Sequence, residues 1–61
     1  MKRRRLIRHL RRHGCCLLRE GRKHAIWGNP VMNTKTAVPR HTEIDNRLAV
    51  DICKQLGIPT L

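Results

Sequence analysis

At 61 residues the chain has room for one domain, residues 1–61, with a small core, and that excludes a large buried catalytic pocket. Fourteen Lys and Arg stand against four Asp and Glu, a formal net charge of +10. Such an excess seeks a polyanion, nucleic acid first, with an acidic protein or an anionic membrane surface as the alternatives.

The chain opens on Met1-Lys2-Arg3-Arg4-Arg5, but Arg8, Arg11 and Arg12 interrupt any apolar run behind it. No stretch is long enough to cross a bilayer, so a cytoplasmic protein without a membrane partner is expected. From Lys2 to His13 the pattern is helical. Leu6, Ile7 and Leu10 fall within roughly 100° of a helical wheel, and Arg4, Arg5, Arg8, Arg11 and Arg12 crowd the other side. Gly14 is the expected stop. No Ser, Thr, Asp or Asn caps the start, and cations at the positive end of the helix dipole oppose it, so a first turn that frays or waits for a partner is expected.

Cys15 to Glu20 reads as a strand, Gly21-Arg22 as a turn, and Lys23 to Trp27 as a second strand. On that strand His24 and Ile26 share one face, Ala25 and Trp27 the other. Asn29 to Asn33 is loop chemistry, and Lys35 to Val38 is a third strand stopped by Pro39. Short connections imply an antiparallel meander. Asp45 is the expected N-cap of a last helix whose apolar face is Leu48, Ala49, Ile52, Cys53 and Leu56. Gly57, Ile58 and Pro59 supply its stop. The expected fold is therefore α+β, in the order α-β-β-β-α, with a three-stranded antiparallel sheet, two helices on one face and the other face open.

Five arginines on one helix side, in a segment whose first 19 residues contain no acid, can reach phosphates along a groove. A solvated charged face, the alternative, is usually balanced by Glu and Asp. His24 follows Gly21-Arg22-Lys23. Surrounding cations favour the neutral imidazole, the form able to take a proton. On chemistry alone it is either a base for RNA cleavage or an ordinary surface residue. His41, in Pro39-Arg40-His41, is a second acid or base, or a phosphate contact. His9 and His13 stand i, i+4, but flanking arginines repel a metal cation. Trp27 packs against a helix or stacks on a base. Cys15, Cys16 and Cys53 form no CxxC pair and read as small apolar residues in a reducing compartment. No metal site, cofactor motif, Gly-rich phosphate loop, Ser-His-Asp set or small-molecule site is recognisable.

At Gly21-Arg22-Lys23-His24, Asn29-Pro30, Val38-Pro39-Arg40-His41 and Leu48…Ile52…Leu56-Gly57-Ile58 the chain resembles the HicA family of bacterial toxins. The resemblance covers nearly the whole chain and rests on the order and spacing of these segments together. It implies a fold similar to a double-stranded-RNA-binding domain. It also implies metal-independent cleavage of mRNA, with the family's catalytic histidine falling on His24, and a HicB-type antitoxin that covers the site. The chain departs from the family where bulky Arg22-Lys23 precede the histidine and where the first helix lacks a cap. The expected function is that of an endoribonuclease toxin of a toxin–antitoxin system, with His24 as the base on the 2′-OH. Arg4, Arg5, Arg8, Arg11, Arg12, Arg22, Lys23, Arg40 and His41 are the expected RNA contacts. A non-catalytic RNA-binding protein on the same fold, or an inactive toxin remnant, is the competing reading, and an adaptor for an acidic protein is a third.

Overall fold

The computed structural model describes all 61 residues, Met1–Leu61. Its elements run α1 (Arg3–Arg12), β1 (Cys16–Glu20), β2 (His24–Asn29), β3 (Thr34–Pro39) and α2 (Asn46–Leu56). The strands form one antiparallel sheet in the order β1-β2-β3. This is the α-β-β-β-α order expected from the pattern of the sequence, with one sheet face under the helices and the other open.

Ala25, Trp27 and Val38 turn their side chains inward to meet Leu6 and Leu10 of α1 and Ala49, Ile52, Cys53 and Leu56 of α2. Cys15, Ile44 and Ile58 close the edges of this cluster of twelve buried residues. Trp27 is only 3% exposed, with the Arg11 guanidinium 5.3 Å from its ring centroid. It belongs to the core and is closed to base stacking; its buried indole Nε1 has no partner. Cys15 and Cys53 are buried free thiols whose pKa is raised by burial, so they are poor nucleophiles. Cys16 instead lies exposed.

The start of α1 has no side-chain cap, as its sequence implies. It is secured another way, and this replaces the expected fraying with a fixed end. Met1–Arg3 lies beside Thr42–Ile44, with Arg3 N–H donating to the Thr42 carbonyl at 2.8 Å and Ile44 N–H to the Met1 carbonyl at 2.8 Å. Lys2 Nζ pairs with Glu43 at 2.7 Å. At the other end Gly14 takes a positive φ of 84°.

α2 follows its sequence signals closely. Asp45 accepts from Arg47 N–H at 2.8 Å, and Gly57 ends the helix in the left-handed region at φ 75°. Ile58 then folds back, donating its N–H to the Cys53 carbonyl. Leu48 does not join the apolar face; it is exposed. Asn29 is buried and donates through Nδ2 to the Leu56 carbonyl at 2.8 Å, which ties the end of β2 to α2. In β1 the pairing register shifts between Leu17 and Arg19, a bulge centred on Leu18.

Candidate active site

The turn from β1 to β2 builds the site. Gly21 N–H donates to the His24 carbonyl at 2.8 Å, and a Cβ at position 21 would lie 2.6 Å from that same oxygen. Only glycine permits this approach, which explains why a glycine stands three residues before the histidine. His24 opens β2 opposite Pro39 of β3, on a strand paired along both edges.

Arg40 locks the turn from the β3 side. Its N–H donates to the Lys23 carbonyl at 3.1 Å, and its Nη1 donates to the Gly21 carbonyl at 3.0 Å. Its Nε also stands 3.5 Å from a Glu20 carboxylate oxygen. The two segments that carry the histidines are thereby joined. Arg22, Lys23, His24, Arg40 and His41 line one shallow depression of about 430 Å³, with no apolar and no acidic residue in its wall. All five side chains are exposed to solvent.

A second depression of about 400 Å³, lined by Lys2, Arg3, Arg4, Arg40 and Thr42, adjoins the first through Arg40. Arg3 is held by its Nε, which donates to the Pro39 carbonyl at 2.8 Å. The fold thus brings five sequence-derived candidates, Arg22, Lys23, His24, Arg40 and His41, to one place and sets Arg4 beside them. Arg8 and Arg12 stay exposed further along α1. Arg11 leans over Trp27, and Arg5 turns toward a cavity between α1 and α2 shared with Met1, Ala49 and Val50. Lys2, Arg3 and Thr42 escape the sequence reading. Lys2 and Arg3 are part of the basic run, but their nearness to Arg40 depends on the Met1–Arg3 pairing with the loop before α2.

His9 and His13 pack edge to face with ring centroids 4.5 Å apart, and His9 Nε2 donates to the Pro59 carbonyl at 2.6 Å. His9 thereby anchors the C-terminal tail. No group of three or more His, Cys, Asp or Glu side chains converges anywhere in the chain. No helix is long and apolar enough to cross a membrane.

A family model described as the HicA toxin of bacterial toxin–antitoxin systems matches residues 3–58, nearly the full chain. No curated protein and no solved structure gives a match.

Proposed function

The chain belongs to the HicA toxin family of bacterial toxin–antitoxin systems, and from that premise we propose that it is an endoribonuclease that cuts mRNA with its own side chains and without a metal. The observation that carries this reading is the acid-free depression holding two histidines among Arg22, Lys23 and Arg40. RNA supplies its own nucleophile. His24, as the neutral imidazole, takes the proton from a 2′-OH, and the 2′-oxygen attacks the adjacent phosphorus. The P–O5′ bond breaks, leaving a 2′,3′-cyclic phosphate, and the departing 5′-oxygen takes a proton from His41. Arg22, Lys23 and Arg40 meet the charge that builds on the phosphoryl oxygens. Arg4, Arg8 and Arg12 extend the electrostatic track, with Arg5 and Arg11 at its margins. The antitoxin is an acidic protein of the HicB type that occupies the His24 depression and competes with RNA for the same cations.

Product chemistry tests the mechanism. The purified chain, with a chelator present, should convert a defined RNA into fragments ending in 2′,3′-cyclic phosphate. An RNA bearing a single 2′-deoxy nucleotide at the cleavage position should stay intact there. Cleavage at the deoxy position would show that the 2′-oxygen is not the nucleophile.

A further inference from the structure

The open face of the sheet holds a second surface that cleavage does not use. The bulge in β1 lays Leu18 over Gly28, so that a Cβ at position 28 would stand 2.6 Å from Leu18 Cδ1. Leu18 is nonetheless 55% exposed. Ile26 and Ala37 pair across β2 and β3 beside it. Two depressions, of about 410 and 310 Å³, flank this aliphatic floor and share Leu18 and Lys35. Arg19 lines the first of them, and no carboxylate lines either. A contiguous exposed aliphatic floor on so small a protein marks an interaction surface.

We infer that this face docks an acidic protein that presents aliphatic side chains, the antitoxin of the reading above, and that it grips that partner independently of the His24 depression. Two observations select the occupant. Single-stranded RNA binds most tightly where exposed aromatic rings stack on its bases, and Trp27, the one Trp, Tyr or Phe of the chain, is buried under the opposite face. A second copy of a chain of net charge +10 would bring Arg19 and Lys35 against more of the same charge. An acidic partner satisfies both cations while its aliphatic groups cover Leu18, Ile26 and Ala37. The row His24–Ile26–Gly28 on one strand face makes the floor continuous with the catalytic end, so one partner can cover both.

This inference rests on an acidic antitoxin binding the chain, and not on the chemistry of His24. Its test is affinity for the cognate antitoxin, measured beside affinity for one RNA, for wild type, Leu18→Thr, Ile26→Thr and Lys35→Glu. Amide spectra of each variant check the fold; Lys35, fully on the surface, serves if either apolar change perturbs it. Antitoxin affinity should fall at least about tenfold in all three variants. RNA affinity and cleavage of the two threonine variants should stay within about twofold of wild type, because no charge changes. Unchanged antitoxin affinity overturns the inference and leaves the enzymatic reading intact. A parallel loss of RNA affinity would assign the face to RNA. Concentration-dependent dimerisation that the variants abolish would assign it to a second copy. An antitoxin that fails to bind wild type overturns the partner reading itself.

Discussion

An alanine at position 21 would thrust its Cβ to 2.6 Å from the His24 carbonyl oxygen, a backbone atom that can move only if the turn opens. Gly21→Ala should cost about 1–3 kcal/mol in denaturant unfolding, as overpacking does. It should also lower cleavage, because the strand that mounts His24 starts at that turn; RNA affinity should barely change, since no charge is altered. Melts, turnover and binding on the same variant check these three outcomes. The sequence marks Gly21 as a turn residue and His24 as the residue after it. What it cannot convey is that Arg40, 19 residues on, donates to the Gly21 carbonyl and draws His41 into the same depression. That contact depends on β2 pairing with β3 in one particular register, which no local pattern encodes.

At the scale of elements, α2 and α1 differ in how far their sequences describe them. α2 carries an N-cap, an apolar stripe and a left-handed stop, and each operates as its residue type dictates. α1 carries none of the starting signals, and its first turn is held instead by a partner segment: Met1–Arg3 lies against Thr42–Ile44. Glu43 is the ionic part of that clasp. Its pKa is lowered by the hydrogen bond from Lys2 first, with the charges of Lys2 and the N-terminus adding to it. A carboxylate held below its ordinary value binds fewer protons folded than unfolded, so its contribution is complete above the ordinary carboxylate range and is lost as pH falls through the folded value. The stability difference between wild type and Glu43→Gln should therefore be constant near neutrality and shrink as pH falls below the ordinary glutamate range of about 4 to 5. A difference that persists unchanged into acid would show that the clasp does not depend on ionised Glu43. The exposure of Leu48 likewise follows from how elements meet, so the helical stripe alone misplaces it. On the outer side of α1, Arg8 and Arg12 are exposed to solvent. Replacing both by Glu should weaken RNA binding by one or more orders of magnitude while leaving the thermal midpoint nearly unchanged.

For the whole molecule the decisive facts are a core of twelve residues and a charge of +10. A chain of this length commands roughly 3–9 kcal/mol of stability. Leu56, fully buried between α2 and the sheet, should cost about 2–5 kcal/mol when cut to alanine. Leu56→Ala should thus lose about half of that stability and melt well below wild type when alone, with the midpoint raised again by the antitoxin, because a partner that binds only the folded form stabilises it. Circular dichroism of the variant with and without its partner reads this directly. The charge sets the salt dependence: with about four to six phosphates neutralised, log affinity for single-stranded RNA should fall with log salt at a slope of about −3 to −4. Both properties belong to binding in general, and what separates a nuclease from an RNA-binding protein on the same fold is His24. Single-turnover cleavage and equilibrium binding of one RNA, measured for wild type and His24→Ala side by side, test that claim most directly. Cleavage should fall by about two or more orders of magnitude, with the fold and most of the RNA affinity retained. A His24→Ala variant that cuts near the wild-type rate would contradict the account.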